Sequence, residues 1–189
     1  MIEYVVVYPW VVDIPKTQRL PLVLKKRPPH LEGMLNLPGG KLEPGEDPVT
    51  AGVRELLEET GLEQVQDYDP MCYCPAEHLG TIQGNKSIIH CVRVPICSRQ
   101  ELKPGVNEDE VIKWYKMPDL LKLKNLMPNL RLTIPLMERG TKGWVITDLD
   151  GNWRETQYHK VTLTFSGMEN NPVPINVRSC QFYDLEEDE

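Results

Sequence analysis

Long apolar runs are missing from this chain of 189 residues. No stretch approaches the roughly 18 consecutive apolar residues of a membrane-crossing helix, so no membrane partner is expected. Positive charge is in deficit: 21 Lys and Arg face 28 Asp and Glu, for a net charge of −7. A general nucleic-acid binder needs a basic footprint, so no nucleic acid is expected as a partner. A small anionic substrate stays admissible if a divalent cation intervenes. The N-terminal Met1-Ile2-Glu3-Tyr4 lacks a basic segment ahead of Val5–Val7 and does not read as a signal peptide. Cysteine is sparse, five in all, with no C-x-x-C pair. Cys72 and Cys74 stand too close for a usual zinc knuckle, and reduced thiols in a cytoplasmic protein are the expectation.

Proline is in excess: 17 residues, about 9% against a typical value of about 5%, which predicts turns and short elements. A chain of this length buries roughly 70% of its unfolded surface, so folding alone requires neither disulfide nor metal. Glu3 to Val12 reads as a strand that ends or bends at Pro9. Leu20 to Lys25 reads as a second strand. The turn-rich stretch Pro28 to Gly45 is long for a compact domain, and such loops are often functional. Met71 to Cys74 and Ser87 to Ile96 are strand candidates joined by a polar loop containing Gly84-Asn85, and Val111 to Tyr115 is another. Asn129 to Arg139 reads as a helix that Pro135 kinks or shortens. After Gly140 the character changes. Trp144 to Thr147 and Trp153 to Phe165 read as strands around the turn signal Asp150-Gly151-Asn152. A soft boundary is set there, with residues 1–140 as one domain and 141–189 as a β-hairpin extension with an acidic tail. The competing reading extends the same sheet.

Asp47 to Thr60 is the clearest element. Asp47 is a good N-cap, Pro48 suits the first helical position and Gly61 is a natural stop. Val49, Val53, Leu56, Leu57 and Thr60 share one arc of about 100°, which predicts the buried face. Glu55, Glu58 and Glu59 share another arc of about 100°. Like charges at these spacings oppose one another, and glutamates in the last turns oppose the helix dipole. Arg54 is the only cation on the helix. Such conflict points to a site, and a hard divalent cation that prefers oxygen ligands would resolve it.

The spacing adds to this. Gly40, five residues, Glu46, seven residues, then Arg54-Glu55-Leu56-x-Glu58-Glu59-x-Gly61-Leu62 matches the Nudix box at every defined position. The chain resembles the Nudix hydrolase superfamily, and Leu37-Pro38-Gly39-Gly40 before the box also looks family-like. The resemblance implies an α/β/α sandwich with a mixed β-sheet, here with a β-rich C-terminal extension. It implies hydrolysis of a nucleoside diphosphate linked to another group, with Mg²⁺ or Mn²⁺ as cofactor. Glu58, Glu59 and the Gly40 carbonyl become metal ligands, Glu55 a ligand or the general base, and Glu46 and Arg54 a brace between loop and helix. In some relatives the base matches Glu55. In others it lies on a distant loop before a late strand, where this chain has Glu108 and Glu110.

Phosphate contacts need donors. Lys25 and Arg27 are the candidates, with Lys26 and His30 behind them. Tyr4, Tyr8, Trp10 and Trp114 are candidates for stacking on a base, while His78 and His90 read as structural. Pro75 loosely matches a proline of the ADP-ribose pyrophosphatase subgroup, which favours a small-molecule substrate of the ADP-ribose or nucleotide-sugar kind. The alternatives are a nucleoside triphosphate pyrophosphohydrolase that clears modified nucleotides and an inactive nucleotide-sensing module. The extension after Gly140 leaves a lid or a homodimer contact open.

Overall fold

A computed structural model describes residues 1–13, 19–25, 31–65, 74–103, 111–120, 122–148, 161–165 and 173–175. The strands are β1 (Ile2–Val11), β2 (Arg19–Leu24), β3 (Leu35–Asn36), β4 (Glu77–Gln83), β5 (Ser87–Ile96), β6 (Val111–Lys116), β7 (Trp144–Asp148), β8 (Val161–Phe165) and β9 (Val173–Ile175). The helices are α1 (Pro48–Thr60), α2 (Met117–Leu120) and α3 (Pro128–Glu138). A mixed six-stranded sheet has the order β1-β5-β4-β7-β8-β9, and a three-stranded sheet has the order β3-β2-β6. Among the described residues, no helix is long and apolar enough to cross a membrane.

Strand alternation builds the expected three layers. Val5, Val7, Val92 and Val94 share one buried cluster with Ala51 and Leu56 of α1. Val6, Tyr8 and Cys91, pointing the other way, share a second cluster with Leu130, Ile134 and Met137 of α3. The sheet is therefore covered by a helix on each face.

Pro9 does not end β1. The ladder with β5 runs through it, Pro9 opposite Val94, as far as Val11 opposite Ile96. The outer edge of β1 explains this. The Val5 and Val7 amides turn away from β5 to the carbonyls of Gly40 (2.9 Å) and Pro38 (2.8 Å). By alternation the Pro9 nitrogen faces that same outer side, so its missing N–H breaks no bond to β5. Likewise α3 continues through Pro135 to Glu138.

The stretch expected as polar loop before β5 holds β4. Its apolar pattern is diluted by Glu77, His78 and Gly80, and its register with β5 shifts between His78 and Gly80. Of the candidate strand at Met71 to Cys74, residues 71–73 lie outside the described residues, and Cys74 is in no strand. Within the turn-rich stretch β3 is a two-residue strand. The Asp150-Gly151-Asn152 turn also lies outside the described residues, whereas β7 and β8 pair antiparallel as a hairpin would.

β7 joins the main sheet by parallel pairing with β4, from Gly80 opposite Trp144 to Gln83 opposite Thr147. Trp144 is fully buried in the cluster that holds Tyr8, and its indole N–H donates to the Thr141 carbonyl at 3.1 Å. Trp144→Ala is expected to lower the unfolding free energy by about 3–5 kcal/mol, the range for truncating a core aromatic. Urea denaturation followed by fluorescence and circular dichroism checks this. An unchanged midpoint would mean that Trp144 does not support the main core.

Candidate active site

α1 is capped as its sequence directs. The Asp47 carboxylate accepts from the amides of Val49 (3.0 Å) and Thr50 (3.1 Å). Gly61 closes the helix at φ 69°, donating to the Leu57 carbonyl at 2.8 Å. The buried face differs from the expected apolar arc. Leu57 is 48% exposed, while Ala51 and Gly52 are buried with Leu56 and Thr60. The reason is close approach: a Cβ at Gly52 would stand 3.0 Å from Val92 Cγ1, so the helix beds on the sheet along its smallest residues. This rotation carries Glu55 and Glu59 to the margin of the buried face, with side chains 12% and 13% exposed, and leaves Glu58 outside at 54%.

Each glutamate has a cation beside it. Arg54 grips Glu46 with a two-pronged fork, Nε to Oε1 and Nη2 to Oε2, both at 2.9 Å. Its Nη1 donates to Glu55 Oε1 (2.8 Å) and Glu58 Oε2 (3.1 Å), and its Nη2 also reaches the Lys41 carbonyl (3.3 Å). Lys25, arriving from the end of β2, donates to Glu59 Oε1 at 3.0 Å, and the Gly39 amide donates to Glu59 Oε2 at 2.9 Å. The charge conflict read along the helix is thus relieved by Arg54 and by a lysine 34 residues away in the chain.

These contacts set the proton affinities. The bond from Arg54 holds the Glu46 carboxyl below its ordinary range, and Glu46 in turn pushes the guanidinium further up. Burial pushes Glu55 above the ordinary carboxylate range, outweighing the Arg54 guanidinium that draws it down.

Glycine 40 makes the site compact. A Cβ there would stand 2.3 Å from Glu55 Oε1, so a side chain at this position would displace the carboxylate from where Arg54 holds it. The Gly40 carbonyl accepts from the Val5 amide and retains a second lone pair. Carboxylates and a carbonyl form an all-oxygen donor set of the kind hard divalent cations take. Among the described residues, no three acidic, histidine or cysteine side chains converge closely enough to hold a metal ion as they stand. The residues fit such an ion in the chemistry of their donors, which are all oxygen.

These features are those of a known fold family, and the comparison agrees: the NUDIX domain family profile matches residues 7–137. The chain belongs to the Nudix family. A methanol dehydrogenase activator from Bacillus methanolicus is 31% identical over 102 residues, covering 54% of this chain and 52% of that protein. The match thus spans about half the length of that curated relative. The solved MutT protein of Bacillus halodurans superposes with a TM-score of 0.57 at 17% identity, over 78% of this chain and 88% of that one. The NUDIX domain of Shewanella oneidensis NrtR, solved in complex with ADP-ribose, gives a TM-score of 0.57 at 20% identity, over 74% and 88%.

Of the other residues singled out in the sequence, Arg27, His30, Glu108 and Glu110 lie outside the described residues. The tryptophans are engaged elsewhere. Arg93 lies over the Trp10 ring at 4.4 Å and Arg19 over Trp114 at 4.2 Å, while Tyr8 is fully buried. Tyr4, 37% exposed, keeps an open face. His90 bonds Glu3 at 2.9 Å and His78 at 3.2 Å. The Gly39 amide on Glu59 was not singled out, although Pro38-Gly39-Gly40 was the available signal.

The two outer glutamates are expected to differ in the metal-free protein. Glu58→Gln should change stability by no more than about 0.5 kcal/mol, as at an exposed pair. Glu59→Gln should destabilise by about 2–3 kcal/mol, because it withdraws the carboxylate facing a covered ammonium while keeping one acceptor. Urea melts in excess chelator measure both. Equal effects would show that the Lys25 pair does not support the fold.

Proposed function

We propose that this Nudix hydrolase splits the diphosphate bond of a nucleoside diphosphate linked to another group, of the ADP-ribose or nucleotide-sugar kind, with Mg²⁺ (or Mn²⁺) as cofactor. The observation that carries the reading is the contact of the Gly40 backbone with the Glu55 carboxylate, beside Glu58 and Glu59 on the same helix. The same fold holds ADP-ribose in the NrtR domain, which supports the substrate class.

The reaction is substitution at phosphorus. A water oxygen bonds to one phosphorus, the bridging P–O bond breaks, and two phosphate monoesters leave. A bound divalent cation supplies neutralisation of phosphate oxygens and acidifies the attacking water. Glu58, Glu59 and the Gly40 carbonyl would hold that cation, with Glu55 as a further ligand or as the base. Glu55 is suited to accept the water proton, since burial raises its proton affinity and Arg54 fixes its direction. Glu110 and Glu108 are the competing bases. Lys25 and Arg27 would meet phosphate oxygens. The Glu46–Arg54 fork would hold the loop against the helix through turnover.

Products separate this reading from its rivals. Incubation with ADP-ribose and a panel of nucleotide sugars, resolved chromatographically, should yield two monophosphates, with no turnover in excess chelator. A monophosphate plus pyrophosphate from nucleoside triphosphates would favour the triphosphate pyrophosphohydrolase. No turnover of any nucleotide, together with retained nucleotide binding, would favour a sensing module.

The base is identified by rate. If Glu110 is the base, Glu110→Gln should lower the maximal rate by about 10²–10⁴-fold with metal affinity nearly intact, and excess Mg²⁺ should partly rescue Glu55→Gln. Near-wild-type rates for Glu110→Gln and Glu108→Gln would leave Glu55 as the base. Mg²⁺ titrations at saturating substrate distinguish the cases.

A further inference from the structure

Glu3, His90 and His78 come together on the α1 face of the main sheet. His90 of β5 lies opposite Val5, and Glu3 precedes Val5 by two residues on β1. Val5 and Val92 belong to the cluster beneath α1, so alternation turns Glu3 and His90 to that face. His78 reaches it through an irregularity. With Thr81 opposite His90 and Gly80 opposite Cys91, regular pairing would set Leu79 opposite Val92 and turn His78 to the other face. The register shift between His78 and Gly80 sets His78 opposite Val92 instead. Leu79 then buries in the cluster beneath α3, and His78 joins His90. Bulges re-aim side chains in this way.

The two rings meet nitrogen to nitrogen. His90 Nδ1 stands 3.2 Å from His78 Nε2, and His90 Nε2 bonds Glu3 Oε2 at 2.9 Å. An ionised carboxylate only accepts, so His90 Nε2 carries the proton and the neutral ring keeps its lone pair at Nδ1. The Gly80 backbone hydrogen-bonds the His78 ring in the sense that favours a proton on it, which is the action of a carbonyl acceptor. With its other N–H given to Gly80, a neutral His78 keeps its lone pair at Nε2. Desolvation and the adjoining His90 ring hold His78 below the ordinary imidazole range, so it is neutral at neutral pH. Two lone pairs therefore oppose one another.

A cation resolves that conflict. Two nitrogens about 2.0–2.1 Å from one tetrahedral ion stand about 3.3 Å apart. Metal-binding histidines donate their other ring N–H to a carboxylate or a backbone carbonyl, the places that Glu3 and Gly80 hold here. His78 is exposed, which leaves a way in from solvent, while the His90 side chain is only 13% exposed. We propose that His78 Nε2 and His90 Nδ1 form a two-imidazole site for a borderline divalent ion of the Zn²⁺, Ni²⁺ or Cu²⁺ class, with Glu3 orienting His90. Among the described residues, no third acidic, histidine or cysteine side chain joins them, so water completes the coordination. Imidazole suits these ions, whereas the all-oxygen donors around Gly40 suit hard ones. Neither histidine belongs to the residues that would act on the diphosphate.

Zn²⁺ titrated into the full chain at neutral pH, followed by calorimetry and by the imidazole nitrogen resonances, tests this. His78 Nε2 and His90 Nδ1 should shift together and saturate, and excess Mg²⁺ added afterwards should leave them shifted. Cu²⁺ in place of Zn²⁺ should show coupling to two nitrogens in electron paramagnetic resonance. His78→Ala, at an exposed position, should weaken Zn²⁺ binding by at least about 10-fold, and Glu3→Ala by about 10–100-fold, the usual cost of losing an outer partner. Zn²⁺ affinity unchanged in folded His78→Ala overturns the proposal. So do ring resonances that stay in place at Zn²⁺ saturation, the result expected if the two rings merely share a proton. Reversal of the shifts by excess Mg²⁺ also overturns it, because an imidazole pair does not select Mg²⁺. If a variant misfolds, the wild-type ring resonances decide the matter.

Discussion

The fork between Arg54 and Glu46 is the constraint on which the site depends. It joins the loop after Gly40 to the second turn of α1, and it is only partly open to solvent, with side chains 25% and 11% exposed. A paired, charge-assisted contact of this kind contributes more than the ~0–1 kcal/mol of an exposed ion pair. The same guanidinium aims Glu55 and Glu58. One residue therefore sets the loop position and the direction of two carboxylates together.

The loop is held from its other side by the sheet. Its carbonyls at Pro38 and Gly40 accept from Val7 and Val5, and the Leu42 amide donates to Glu3. The outer edge of β1 is thereby covered, which removes an open strand edge and places glycine backbone beside Glu55. Edge protection and site construction are one set of hydrogen bonds. The same close approach excludes a side chain at Gly39, whose Cβ would stand 2.1 Å from the Val5 carbonyl oxygen.

Packing then divides three chemically identical side chains. Because α1 beds on Ala51 and Gly52, Glu55 and Glu59 lie at the buried margin and Glu58 in solvent. Desolvation raises the proton affinity of Glu55, and a covered lysine faces Glu59. The different surroundings of the glutamates follow from which face of the helix meets the sheet. The β7 strand with Trp144 lies past the region that matches the family profile, yet it belongs to the same sheet and core.

The sequence by itself determined what depends on local chemistry and fixed spacing. The cap at Asp47, the stop at Gly61, the shared side of Glu55, Glu58 and Glu59, and the Nudix box follow from residues within one helix and its flanking loop. The strand at Ser87–Ile96 was legible because a hydrophobic run has a direct physical meaning. Tertiary structure decided what depends on partners distant in the chain. β4 forms despite its polar residues because β5 and β7 flank it. Leu57 turns outward because Gly52 permits closer contact than any apolar arc suggests. Lys25 reaches Glu59 across 34 residues, a pairing that no local periodicity encodes.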